Sequence, residues 1–282
     1  MQGVWGHNQH QENRDNVSND PAITIDGKTL SNVQSFRYLG STITSNATLD
    51  AELDTRIAKA AAVMAKLSKR VWNNKKLTLD TKLQVYTACV VSILTYASET
   101  WTLYARQERR LNSFHLRCLR RILNISWEQR IPDTEVLNEA KALSMFAILR
   151  QRRLRWLGHV FRMAPSRLPR TILYGELQSG ERPVGRPRLR YKDLCKQDLQ
   201  VTELGTRDWE TLAKDRDVWR YQVSQGIKVA ENRRISSAKE KRRRRKEGQY
   251  DSTAFVCPIC TKDCHARIGL ISHQRKCTLR NR

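Results

Sequence analysis

From Leu53 onward apolar residues return every three or four positions, and that period restricts most of the chain to helices packed on helices. Leu53, Ile57, Ala61, Met64, Leu67 and Val71 share one face of a 3.6-residue helix. Thr48 is placed to cap it, with Asp50, Glu52 and Asp54 in the first turn, where the helix dipole favours acids. A second helix is predicted over residues 79–97, capped by Thr78. It carries Leu83, Tyr86, Cys89, Val90, Ile93 and Leu94 around much of its circumference and so belongs at the centre. A third covers 107–123 with Leu111, Phe114, Cys118, Ile122 and Leu123 inward. Asp133 caps a short fourth, and a fifth runs from Ser144 to about Met163 with Ile148, Leu154, Trp156, Leu157, Val160 and Phe161. Short connections favour antiparallel neighbours.

Outside that bundle the texture changes. Residues 1–21 are polar and are expected to be disordered. Asp26-Gly27 is a turn signal between short alternating runs at 22–25 and 33–43, which predicts a small β hairpin of two or three strands within 22–46. Residues 165–205 form a basic connector broken by Pro165, Pro169, Gly180, Pro183, Gly185 and Pro187, with room for short helices at 168–176 and 189–199. A long helix is predicted from near Arg207, carrying Trp209, Leu212, Ala213, Trp219 and Val223. It dissolves into KEKRRRRK at 239–246, a solvated helix or linker that ends the segment 206–253. The fold class is therefore mainly α: a small N-terminal β hairpin, a multi-helix bundle over 47–164, a long basic helix and a C-terminal ββα-type zinc finger over 254–279.

Charge bounds the partner. Lys and Arg number 52 against 28 Asp and Glu, a net charge of +24, and a chain this basic most often meets a polyanion, usually nucleic acid. An anionic membrane competes, but no apolar run reaches the roughly 18 residues that span a bilayer, so no membrane partner is expected. The polar start has no apolar core of a signal peptide. Cys89, Cys118 and Cys195 stand alone and read as buried small hydrophobes in a reducing compartment.

Four further residues carry the sharpest chemical signal. Cys257-x2-Cys260-x12-His273-x3-Cys277 pairs two ligands across a tight turn with two on one helix face, so all four can converge on one structural zinc. Phe255 lies two before the first Cys, Cys264 four after the second, and Leu270 three before the His, which is the apolar grammar of a ββα finger. Cys264 and His265 are spare ligands. The base-reading positions of the finger helix fall on Ala266, Gly269 and Ser272, which offer no Arg, Asn or Gln, so sequence-specific readout is not expected. Arg267, Arg275, Lys276 and Arg280 can still grip phosphate. Non-specific nucleic-acid contact ranks first for the finger and a protein partner second.

Seven arginines and no acid lie between residues 150 and 170. Arg150, Arg152, Arg153, Arg155 and Arg162 are assigned to nucleic-acid binding, because a planar, permanently charged fork suits phosphate. Helical period sends Trp156 and Phe161 to other sectors, so they are read as core. Arg186, Arg188 and Arg190 lie in RPVGRPRLRYK (182–192), whose GRPR echoes a minor-groove arm, with Val184 where such arms carry another Arg. Arg242, Arg243, Arg244 and Arg245 form a phosphate patch or a nuclear localisation signal, so the expected location is nuclear, or a cytoplasmic ribonucleoprotein. There is no Asp-Asp pair for two-metal polymerisation and no Gly-rich phosphate loop before a helix. His115 and His159 read as core or surface histidines, and no catalytic residue is assigned.

Several motifs in order carry a family resemblance: FRYLGSTIT (36–44), VWNNKKL (71–77), YASETW (96–101), RRLRWLGHVFRM (152–163), GRPRLRYKD (185–193), DRDVWR (215–220) and RIGLISHQRKC (267–277). From about Ile23 onward the chain resembles the C-terminal region of a LINE-type non-LTR retrotransposon reverse transcriptase, closest to RTE-like elements. The resemblance implies that 36–44 is a motif-E hairpin, or primer grip, and that the following helices are a thumb that holds the primer–template duplex. It implies that the remainder engages RNA or target DNA and ends in a Cys/His finger. The family's endonuclease, fingers and palm, with their Tyr-x-Asp-Asp motif, lie upstream of this region. The expectation is a non-catalytic nucleic-acid-binding remnant with one structural zinc; the alternatives are a protein-interaction finger module or a fragment of an active RNA-directed DNA polymerase.

Overall fold

A computed structural model describes residues 23–29, 31, 33–175, 185, 188–247, 255–264 and 266–280. The expected disorder of residues 1–21 lies outside the described residues. The chain is mostly helical. Two hairpins open it, β1 (Thr24–Ile25) with β2 (Lys28–Thr29) and β3 (Ser35–Tyr38) with β4 (Ser41–Thr44), both antiparallel. The hairpin expected within 36–44 folds back at Leu39-Gly40, where φ is 46° and 84°. That is the left-handed pair a two-residue hairpin turn requires, and it occurs again at Asp26-Gly27.

The second hairpin is tied to the helices by a buried ion pair. Arg56 Nε donates to Glu52 Oε1 at 2.6 Å, Arg56 Nη2 donates to the Gly40 carbonyl at 2.6 Å, and Glu52 Oε2 accepts from the Thr42 N–H at 2.6 Å. Both side chains lie on α1 (Asp50–Lys66), which Leu49 precedes without a side-chain cap. Thr48 was expected to cap this helix. Its hydroxyl instead donates to Asn46 Oδ1, which closes the turn after β4. A π-helical turn (Ser68–Trp72) continues α1 and lets Trp72 Nε1 donate to the Met64 carbonyl.

Helix α2 (Leu79–Val85) starts at Thr78, whose side chain accepts from the Thr81 N–H as expected. It runs through a π-helical segment (Tyr86–Val91) into α3 (Ser92–Leu94). Tyr86, Val90 and Leu94 are buried, but the altered winding leaves Cys89 exposed, contrary to its reading as a core residue; Cys118 and Cys195 are buried. The bundle continues with α4 (Ala105–Ile122), α5 (Asp133–Glu139) and α6 (Met145–Phe161), the last capped by Ser144. Asp133 is the first residue of α5 and Pro132 its cap position.

Helix α6 is shared by two cores. Met145 and Leu149 join the first, built from α1–α5 around Leu53, Trp72, Leu94, Leu111 and Leu119. Ala147, Leu154 and Leu157 join the second, with Cys195 and Leu199 of α8 (Tyr191–Val201) and Trp219, Val223 and Ile227 of α10 (Arg216–Lys246). Between these lie α7 (Leu168–Tyr174) and α9 (Trp209–Lys214). The single helix expected from Arg207 is broken at Asp215, whose carboxylate accepts from the N–H groups of Asp217 and Val218 and so starts α10 anew. The KEKRRRRK stretch is helical to Lys246.

The two tryptophans of this second core order α10. Trp219 Nε1 donates to the Leu154 carbonyl at 2.9 Å, and a β-carbon at Gly158 would lie 2.2 Å from that same indole nitrogen. Gly158 is therefore the close approach that lets α10 seat against α6, while Trp209 packs on both Trp219 and Phe161.

His115 is buried in the first core. A carbonyl can only accept, so His115 Nε2–H donates to Leu143 O at 3.1 Å and Nδ1 accepts from the Tyr86 hydroxyl at 2.7 Å. Burial pushes its pKa down from 6.5 to about 4. Between those two values the unfolded chain binds the extra proton, so stability is full above about pH 6.5 and is lost as pH falls towards about 4, by up to roughly 3 kcal/mol. A His115→Gln variant should flatten the slope of unfolding free energy across that window; an unchanged slope would contradict the assignment.

Candidate metal centre and basic surface

The C-terminal Cys/His segment is built on a minimal hairpin. Among the described residues its strands reduce to one antiparallel bridge, Val256 with Asp263, flanked by Cys257 N–H to Lys262 O at 2.9 Å and Cys264 N–H to Phe255 O at 3.1 Å. Helix α11 (Arg267–Arg280) follows. Cys257, Cys260, His273 and Cys277 come together as the spacing predicted, their ligand atoms all within 4.8 Å of one another. Tetrahedral zinc with Zn–S near 2.3 Å holds its sulfurs about 3.8 Å apart, which this cluster accommodates.

Electrostatics fit a cation. Backbone N–H groups of Cys260 and Ile259 aim at the Cys257 thiol and hold its pKa below the ordinary value. Burial, then the neighbouring Cys260 and Cys257 thiols, push Cys277 up to about 11. Three thiols crowded together resist joint ionisation, and a bound metal ion reverses that. Cys264, a spare by sequence, lies outside the cluster, with its thiol against Lys262 O; His265 lies outside the described residues. Ala266 and Ser272 are exposed. A β-carbon on Gly269, a base-reading position by expectation only, would sit 2.4 Å from the Cys264 carbonyl, so it is pressed against the turn that precedes α11.

The predicted arginine face divides. Arg153 departs from its expected role: it is 1% exposed, with Nε donating to Asp198 Oδ2 at 2.7 Å and Nη2 to Glu108 Oε1 at 3.2 Å. The stretch 150–170 has no acid of its own, but Glu99 in the turn before α4, Glu108 of α4 and Asp198 of α8 supply them. Arg150 pairs with Asp198 at 2.9 Å and Arg152 with Glu99 at 3.6 Å, each remaining partly accessible. Arg155 is exposed and Arg162 half-buried, its Nη1 donating to Ala213 O at 2.6 Å. Arg186 lies outside the described residues. Arg190 pairs with Asp193 at 3.0 Å, and Arg188 Nη1 reaches the Asn46 carbonyl at 3.5 Å. On α10, Arg243 pairs with Glu240 and Glu247 and Arg244 with Glu240, while Arg242 is half-buried and Arg245 exposed. These arginines hold the Glu240 carboxyl down at about 2.

Sequence reasoning missed Arg216 and Arg220. Their motif alternates charge and reads as the solvated start of a helix; only the seating of α10 on α6 brings them beside Arg155 and Arg162. Trp156, assigned to the core, is half-buried and lines a cleft of about 880 Å³ with Leu168, Ile172 and Tyr191. No described helix is long and apolar enough to cross a membrane.

With this geometry in hand, relatives give the lineage. Over 205 residues the chain is 27% identical to F52C9.6, a transposon-derived protein of Caenorhabditis elegans, covering 67% of this chain and 70% of that protein. Over 116 residues it is 26% identical to the RNA-directed DNA polymerase from mobile element jockey of Drosophila funebris, covering 41% of this chain and 13% of the polymerase. No family model matches the chain, and no solved structure matches it. The two relatives support a LINE-type retrotransposon-derived protein, and their partial coverage is consistent with the C-terminal region expected from the motifs.

Removing one partner from a buried pair strands the other charge, at a cost of about 3–5 kcal/mol. Asp198→Asn should lower the unfolding free energy by that order. Replacing Glu203, whose pairing with Arg233 is exposed on both sides, should cost under about 1 kcal/mol. Equal losses in denaturant titrations would contradict the role given to Asp198.

Proposed function

We propose that these residues form a non-catalytic nucleic-acid-binding remnant of a retrotransposon reverse transcriptase, with one structural zinc in the finger. The observation that carries this reading is the basic surface: a net charge of +24, with Arg155, Arg162, Arg216 and Arg245 outside any ion pair among the described residues. Three cysteines and one histidine within bonding reach of a common centre favour zinc in a closed, four-ligand site. Such a site leaves no open position for catalysis, and the sequence has no Asp-Asp pair for two-metal chemistry. The β3–β4 hairpin acts as a primer-grip-like element and α1–α6 as a thumb-like body, holding RNA or DNA through its backbone. The basic end of α10 supports a nuclear or ribonucleoprotein location.

A second reading has its own support. Ile268 is 82% exposed and Ile271 44% exposed on α11, an apolar face suited to a protein partner at the finger.

Counterion release sets the test. With about four to five phosphate contacts, duplex affinity should fall about 10²–10³-fold between roughly 50 and 200 mM salt; binding insensitive to salt, or absent at low salt, would overturn the proposal. Metal analysis should find about one zinc per chain, lost in Cys260→Ser. A chain free of zinc, or a variant that retains it fully, would refute the structural site.

A further inference from the structure

A pocket of about 470 Å³ lies where α10 begins its run along α6, lined by Arg155, His159, Arg162, Arg216, Trp219 and Arg220. Arg155 and His159 of α6 and Arg162 at its C-cap sit at i, i+4 and i+7, and Arg216 and Arg220 of α10 at i and i+4, so two helix faces turn basic side chains towards one space. Its floor is fixed. Trp219 is 1% exposed and bonded to the Leu154 carbonyl, so the five basic side chains surround a rigid base.

Acids near the pocket do not neutralise it. Asp215 Oδ1 is occupied by the N–H groups of Asp217 and Val218, and Asp217 is 92% exposed and reaches Arg220 only at 4.0 Å. Arg152, the next cation on α6, turns to Glu99. Among the described residues no carboxylate lies within ion-pair distance of Arg155, Arg162 or Arg216. Arg153, two residues before Arg155, shows the opposite arrangement, where a buried guanidinium is given two carboxylates. The pocket cations feel one another. Burial, then Arg220 and Arg152, lower the Arg155 pKa; burial, then Arg216, lower that of Arg162, with Asp215 only partly offsetting them. Like charges held together without a counterion are a cost that a bound anion removes.

We propose that Arg155, His159, Arg162, Arg216 and Arg220 form a phosphate-binding pocket that seats a backbone phosphate of a nucleic-acid strand. The inference rests on the nucleic-acid-binding reading and deepens it by naming where the strand is gripped. Guanidinium forks match phosphate oxygens in pairs. They offer no acceptor for a base edge, so the pocket positions a strand and reads no sequence.

The test uses the full chain and Arg155→Gln/Arg220→Gln, two exposed positions whose neutralisation relieves repulsion and should leave the fold at least as stable. Tripolyphosphate should raise the melting temperature of the wild type and not of the variant. Duplex affinity at about 100 mM salt should fall roughly tenfold in the variant, and the salt slope should shrink by about one to two. If the double variant does not fold, Arg216→Gln alone is read in the same assays, with a slope smaller by about one. A wild type that tripolyphosphate leaves unshifted overturns the pocket, whatever duplex binding shows. A folded variant with unchanged affinity and slope also overturns it. Tripolyphosphate stabilisation without duplex binding by the wild type instead overturns the nucleic-acid reading, and with it the strand as occupant. Arg155- and Arg220-dependent binding to phosphatidylserine vesicles, with none to duplex, would do the same.

Discussion

Arg153 is a permanent charge at the centre of the protein, and the arrangement of its helices follows from the need to satisfy it. Asp198 from α8 and Glu108 from α4 converge on a guanidinium that α6 delivers. A buried ion pair contributes little net stability against a well-packed apolar substitute, but a mispaired one is costly, so such a pair selects one arrangement over others. Here it fixes the register of α6 against both neighbours at the place where the two apolar cores meet. Burial pushes the Glu108 carboxyl above its usual range while Arg153 pulls against it, so part of that triad is held together against desolvation.

Register set at α6 passes outward through Gly158. The missing side chain admits Trp219, and with Trp219 in place α10 presents Arg216 and Arg220 beside Arg155 and Arg162. Farther along, Glu231 accepts from the Ser144 hydroxyl at 2.9 Å and pairs with Arg234, pinning α10 to the start of α6 before its basic end leaves the core. The same helix thus has a buried half that orders it and a charged half that faces solvent.

The helices of the bundle and the convergence of the Cys/His cluster were legible in the sequence because both depend on local spacing. Thr78 and Ser144 cap where their positions implied, and Cys257, Cys260, His273 and Cys277 converge. What escaped depended on partners distant in sequence. Arg153 looked like one more cation in an acid-free stretch, because Asp198 and Glu108 lie 45 residues away on either side. The turn at Leu39-Gly40 came from the family resemblance and not from turn chemistry, because leucine rarely takes a left-handed conformation, and tertiary bonds from Tyr96 and Arg56 to the carbonyls of Leu39 and Gly40 hold it there. Cys89 kept the helical period but lost its inward direction to the π-helical winding.

The central claim is that nucleic acid is held by the α6–α10 surface, with the finger as an auxiliary grip. Photo-crosslinking the zinc-loaded full chain to duplex and to single-stranded RNA, followed by peptide mapping, tests it directly. Crosslinks should concentrate at residues 155–162, 216–220 and 239–246, with few on Ala266 or Ser272. Crosslinks confined to α11, with none on α6 or the start of α10, would contradict the account.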